Sequence, residues 1–105
     1  MLLDTILKHT KESFEFNNTH KYSNIDLGIV TIFDLQIKLE KFKNHFQDVD
    51  LRSKLENFFE ELKSQEIIYD YTWVSLEDSF YIQPTRRLYD KSDMRLKLPT
   101  SNIIA

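Results

Sequence analysis

The 105-residue chain has no cysteine, one glycine, two prolines and a single alanine, which is its last residue. Without cysteine there is no disulfide framework, no thiolate zinc site and no cysteine nucleophile. With one glycine there is no glycine-rich loop to cradle a phosphate and almost no glycine-turn signature. No apolar run approaches the roughly 20 residues that a membrane-spanning helix needs. The opening Met1-Leu2-Leu3-Asp4-Thr5-Ile6-Leu7 carries an acid where a secretory leader carries base, and Lys8-His9 break its apolar run. These absences point to a cytoplasmic protein with no membrane partner. The scarcity of Gly and Ala beside abundant Lys, Asn, Ile and Phe fits an AT-rich coding sequence.

What is present is an ordinary globular composition. Apolar residues make up 41% and charged residues 30%, which excludes a collagen-like or wholly disordered chain. The length suits one domain, expected over residues 1–93, with 94–105 as a C-terminal tail or short strand. Within that last segment Met94, Leu96 and Leu98 alternate before Pro99, and Ile103-Ile104 read as an end that needs a surface to sit on.

Periodicity supplies the elements. Leu2, Leu3, Ile6, Leu7 and Phe14 share one side of a helix over residues 2–15. Residues 17–24 are polar turn formers and read as a loop. Gly28-Ile29-Val30-Thr31-Ile32 is rich in β-branched residues and reads as a brief strand. Thr31 followed by Asp34 then resembles an acidic capping box opening a second helix. Its stripe is Ile32, Leu35, Leu39, Phe42 and Phe46, widened by Phe33 and Ile37. Asp50 caps a third helix whose core positions are Leu51, Leu55, Phe58 and Leu62, with Phe59 beside them. Residues 67–74 and 79–83 read as a β-hairpin, with Leu76-Glu77-Asp78-Ser79 as its turn. One core is expected from Leu35, Leu39, Phe42, Leu55, Phe58 and Leu62.

No catalytic constellation emerges. His9, His20 and His45 lie far apart, and one or two ligands at helical spacing do not make a zinc site, which takes three or four. Glu56, Glu60 and Glu61 stand beside Arg52, Asn57 and Lys63 as on a solvated helix face, whereas acid–base pairs need a cleft that separates their pKa values. The chain is therefore expected to be no enzyme and to hold no metal or cofactor. Tyr69, Tyr71 and Trp73 alternate along one strand face. They are either core rings packed on the helices or an exposed face for a partner or for bases.

Charge is uneven along the chain. The net charge is −2 over residues 1–50, −4 over 51–78 and +3 over 79–105. The basic end holds Arg86, Arg87, Lys91, Arg95 and Lys97, which suits either a phosphate-binding patch or a solvated tail.

The element order resembles that of a winged-helix domain over about Leu2 to Gln83. Val30-Thr31-Ile32-Phe33-Asp34-Leu35 looks like the short strand and cap that open the second helix. Leu55-Glu56-Asn57-Phe58-Phe59-Glu60-Glu61-Leu62-Lys63-Ser64-Gln65-Glu66-Ile67-Ile68 resembles the end of the third helix and the start of the wing. Gln65-Glu66 stand where such domains often place a glycine, and the loop after the first helix is long. The resemblance implies an α+β fold, a three-helix winged-helix-like domain with a C-terminal β-hairpin as wing and a short tail. It further implies a small nucleic-acid-binding regulator or accessory factor, of the kind carried on mobile elements of AT-rich genomes. Double-stranded DNA would meet Arg52, Ser53, Lys54 and Asn57 at the start of the third helix, while Arg86, Arg87 and Lys91 beside the wing held phosphates. Glu56 and Glu60 would face those phosphates at a cost. The alternative is a protein-binding adaptor or inhibitor, with a protein partner or a homodimer, using the acidic third helix or the aromatic hairpin.

Overall fold

The computed structural model describes residues 2–19, 25–86 and 94–99. Helix α1 spans Leu2–Thr19, α2 Ile25–Lys41 and α3 Leu51–Ser64, followed by strands β1 Asp70–Val74, β2 Ser79–Gln83 and β3 Arg95–Lys97. The class is α+β, three helices and then one antiparallel sheet in the order β1-β2-β3.

Helix α1 buries Leu3, Ile6, Leu7, Thr10 and Phe14, a single stripe of helical period. Thr10 enters that stripe without an unpaired hydroxyl, because its Oγ1 donates to the Ile6 carbonyl at 2.9 Å. The helix runs on through Asn17, one turn beyond the sequence expectation. There the Asn17 amide donates to the Thr31 hydroxyl at 3.2 Å and ties α1 to α2.

The expected strand at residues 28–32 is instead part of α2, which starts six residues before the proposed Thr31 cap. Thr31 is a buried mid-helix residue. The β-branched run misleads because tertiary packing overrides a weak propensity. Ile32, Leu35 and Leu39 keep a helical spacing and are at most 2% exposed. Gly28 continues this face, and a Cβ there would stand 2.9 Å from both Cβ and Cγ of Pro84. The lone glycine therefore lets α2 pack directly against Pro84, just past the end of β2. Among the described residues, the third place in the sheet is taken by β3, which the sequence left as tail or short strand.

A 3-10 turn at Lys43–Phe46 leads into α3, whose cap is Asp50 as expected. The Asp50 carboxylate accepts from the Ser53 N–H at 3.2 Å and from the Ser53 hydroxyl at 2.9 Å. Helix α3 buries Leu55, Phe59 and Leu62. The core thus differs from the expectation at two rings: Phe59 is fully buried, while Phe58 and Phe42 only pack against its rim. Helix α3 is followed, after its cap Gln65, by Glu66 in the left-handed region (φ 60°), with the Ile67 N–H donating to the Leu62 carbonyl at 2.8 Å. That is the conformation a glycine usually supplies after a helix, adopted here by glutamate.

The hairpin pairs Asp70 with Gln83 through Val74 with Ser79. Its turn is a 3-10 turn, Ser75–Glu77, closed by Asp78 at φ 51°. Aspartate tolerates this conformation better than most residues, so the turn forms without an Asn-Gly pair. Strand β3 pairs Ser79 with Lys97 and Tyr81 with Arg95. On the inner face of the sheet Phe80, Ile82 and Leu96 are fully buried. The outer edge of β3 is closed by the side-chain amide of Gln36 from α2. Gln36 donates to the Lys97 carbonyl and accepts from the Lys97 N–H, both at 2.6 Å.

Candidate functional site

The hairpin rings divide by position. Tyr71 and Trp73 pack on the core from β1, with Trp73 4.7 Å from Phe80 and Tyr71 6.2 Å from Phe59 between ring centroids. Tyr69 lies before the strand and is exposed. Two of the three rings are therefore structural and one faces solvent.

The four candidates at the start of α3 are all on the surface, and two of them are engaged locally. Arg52 lies 3.5 Å from the Glu56 carboxylate and its guanidinium sits 5.1 Å over the Trp73 ring. Ser53 completes the Asp50 cap. Its two hydrogen bonds, aided by the Arg52 charge, hold the Asp50 carboxyl below its ordinary value. Lys54 and Asn57 are exposed.

Of the basic residues after the hairpin, Arg87 and Lys91 lie outside the described residues. Arg86 lies over the Tyr69 ring at 5.6 Å, beside Lys63 and Glu66 in a surface groove of about 460 Å³. Lys63 is eleven residues after Arg52, about 16 Å further along α3 at the helical rise. Among the described candidates, Arg86 and the group at the start of α3 therefore sit at opposite ends of that helix.

Between those ends the surface is acidic. The Tyr71 hydroxyl donates to Glu60 at 2.6 Å. Burial, that bond, and the charges of Glu60, Glu56 and Asp70 push the phenol up to about 12. Lys63 at 3.1 Å and the Tyr71 N–H hold Asp70 below its ordinary value. Glu61 reaches Lys11 of α1 at 4.0 Å. A second groove, of about 410 Å³, lies on the outer face of the sheet among Thr72, Val74, Tyr81 and Gln83. Asp70 and Glu77 also line it, and the Glu77 carboxylate accepts from the Tyr81 hydroxyl at 2.5 Å. Of the histidines, His9 and His45 are exposed and His20 lies outside the described residues. Among the described residues no three His, Asp or Glu side chains gather as a metal site would require. No described helix is long and apolar enough to cross a membrane.

The feature missing from the sequence reading is the far side of α2. Phe33 and Ile37 were expected to widen the core stripe. They are instead 64% and 48% exposed, with Val30 at 58%. At 100° per residue these three lie within 60° of one another and opposite the buried Ile32, Leu35 and Leu39. A sequence signal was available: Val30, Phe33 and Ile37 repeat at three and four among themselves, a second stripe with its own period. Helix α2 is thus apolar on two opposite faces, and the fold covers one.

Compared with known proteins, the chain matches no family model, no curated protein and no solved structure. The fold by itself defines a small α+β domain in which three helices precede a three-stranded antiparallel sheet.

Proposed function

We propose that the chain is a protein-binding module, an adaptor or inhibitor that acts by contact through the outer face of α2. The observation that carries this reading is the exposure of Val30, Phe33 and Ile37 on a helix whose opposite face is core. A helix apolar all round belongs inside something, and contiguous exposed apolar surface marks interaction sites. The surface named in the adaptor alternative shifts accordingly, from α3 and the hairpin to α2. The DNA reading draws less support. Arg52 and Ser53 are engaged with Glu56, Trp73 and Asp50, and Arg86 stands at the other end of α3, beyond Glu56, Glu60 and Glu61.

The test is a photo-crosslinking residue in place of Phe33, with a control at Asn57 on α3. In an extract of the source cells, position 33 should give a discrete protein adduct that disappears when Val30→Asp and Ile37→Asp are added. Adducts at position 57 with none at 33 would refute the proposal.

A further inference from the structure

We propose that the free edge of β1 takes up an extended, basic segment of another protein, which joins the sheet as an added strand. The inference goes beyond the α2 reading and does not depend on it. Its starting point is the phase of the backbone ladder. The Leu98 N–H donates to the Asp78 carbonyl at 3.0 Å, and the Tyr69 N–H to the Gln83 carbonyl at 2.9 Å. With the register of the sheet, these bonds turn the backbone groups of Phe80 and Ile82 toward β3 and those of Ser79, Tyr81 and Gln83 toward β1. Val74, Thr72 and Asp70 answer them, so Tyr71 and Trp73 point their N–H and C=O groups away from the sheet. The two edges then differ. On β3, Gln36 occupies both outward groups of Lys97. On β1, the Asp70 carboxylate accepts from the Tyr71 N–H at 2.8 Å. Among the described residues, the Tyr71 carbonyl and both groups of Trp73 have no protein partner. Free backbone groups in register are complementary to another extended chain, and β1 carries neither the lysine nor the proline that commonly blunts an edge.

Charge selects the occupant. A residue set opposite Tyr71 points its side chain to the same face of the sheet as Tyr71, toward α3. There the exposed Glu60 carboxylate accepts from the Tyr71 hydroxyl at 2.6 Å and, among the described residues, has no cation beside it. The cations nearby are already matched, Arg52 with Glu56 at 3.5 Å and Lys63 with Asp70 at 3.1 Å. Arg86 stands over Tyr69, at the end of the edge that Asp70 closes. A lysine or arginine opposite Tyr71 therefore meets an unmatched carboxylate. A second copy of this chain fits less well. Residues 69–79, which form β1 and its turn, contain no basic residue, and residues 51–78, which form the edge and the helix beneath it, carry a net −4. Pairing two such edges sets like charge against like.

The probe is the peptide Thr-Val-Thr-Lys-Thr-Val-Thr, blocked at both ends, whose valines and lysine share one face when it is extended. It is added to the isotope-labelled full chain, and amide exchange is followed by NMR. In the free chain the Trp73 amide should exchange about tenfold faster than the neighbouring Thr72 amide, which the ladder holds. With about 1 mM peptide the Trp73 amide should slow several-fold. A peptide with glutamate in place of its lysine should bind several-fold more weakly at low salt, and Glu60→Gln should narrow that difference. Of two peptides N-methylated at alternate amides, in opposite phases, only one should lose binding, because an added strand bonds through one of its edges. Circular dichroism confirms that Glu60→Gln is folded. A Trp73 amide as slow as that of Thr72 in the free chain would show the edge already closed and overturn the proposal. Slowing that rises with protein concentration alone would also overturn it, and would make the second copy the occupant. Equal binding of the lysine and glutamate peptides, shifts centred on Val30, Phe33 and Ile37, or no binding at about 1 mM would each overturn it as well. Crosslinking at position 33 decides the α2 face separately, so the two readings fail independently.

Discussion

Phe59→Ala removes the ring that joins α3 to the sheet. Phe59 is fully buried, with ring centroids 5.3 Å from Phe80, 6.2 Å from Tyr71 and 5.3 Å from Phe58. Truncating such a ring loses its transfer free energy and leaves a cavity bounded by other rings, about 3–5 kcal/mol in all. A domain of this length is stable by about 5–15 kcal/mol, so the variant loses about a fifth of its stability or more. With a urea slope of about 2 kcal/mol/M, the unfolding midpoint should fall by about 2 M. Phe58→Ala is the control within the same helix. Phe58 is half-buried at the core's rim, and its loss should cost about 1–2 kcal/mol. Both midpoints come from urea melts followed by Trp73 fluorescence. Equal costs, or a larger cost at Phe58, would refute the placement of α3 on the sheet.

Four other outcomes follow from the geometry. Glu66→Gly should raise stability by about 0.5–1 kcal/mol, because relief of the left-handed strain exceeds glycine's loss of chain entropy; a lower urea midpoint would count against this. Gly28→Ala should do the reverse, since crowding against Pro84 at 2.9 Å outweighs the helix propensity gained. The net loss of about 1–3 kcal/mol is readable in a thermal melt. The Tyr71 phenol, raised from 10.0 to about 12, binds its proton more tightly folded than unfolded, so its contribution is full below pH 10 and is lost as pH rises toward 12. Ultraviolet titration should show Tyr71 late, alongside Tyr81, whose bond to Glu77 also raises it, and Glu60→Gln should bring Tyr71 alone earlier. On the protein-binding reading, the chain should fail to bind random duplex DNA at ~10⁻⁴ M in physiological salt. Tighter binding, weakened by Arg86→Ala with Arg87→Ala, would restore the nucleic-acid reading.

Much of the architecture was legible because local signals and packing agree. Asp50 caps α3 as its side chain suggests, and the hairpin falls where β-branched and aromatic residues cluster. The signals failed where two readings of one run compete. Gly28 to Ile32 has the composition of a strand, and only the demand of a core at Ile32, Leu35 and Leu39 makes it helix. At Phe58-Phe59 both residues lie near the apolar face, and a rotation of α3 by less than a residue decides which ring is buried. The candidate site was less legible for a different reason. Arg52 and Ser53 have the right chemistry for DNA, but sequence alone does not show a cation stacked on Trp73 or a hydroxyl used in a cap. Nor does a helical stripe declare which of two apolar faces the fold will cover.

The amide of Gln36 grips the backbone of Lys97 across 61 positions of sequence. That separation has a consequence in time. On a ribosome adding about 5–20 residues each second, Lys97 is made some 3–12 s after Gln36. During that interval α1 and α2 can pair and the hairpin can close, since their contacts are short in sequence. The seat that Leu96 takes beside Phe80, and the edge that Gln36 caps, must wait. A nascent chain of this protein therefore carries an unfinished sheet beside an uncovered apolar stripe, and in that period it would depend most on chaperones. Arrival of β3 closes the sheet, while Val30, Phe33 and Ile37 on the outer stripe of α2 stay exposed.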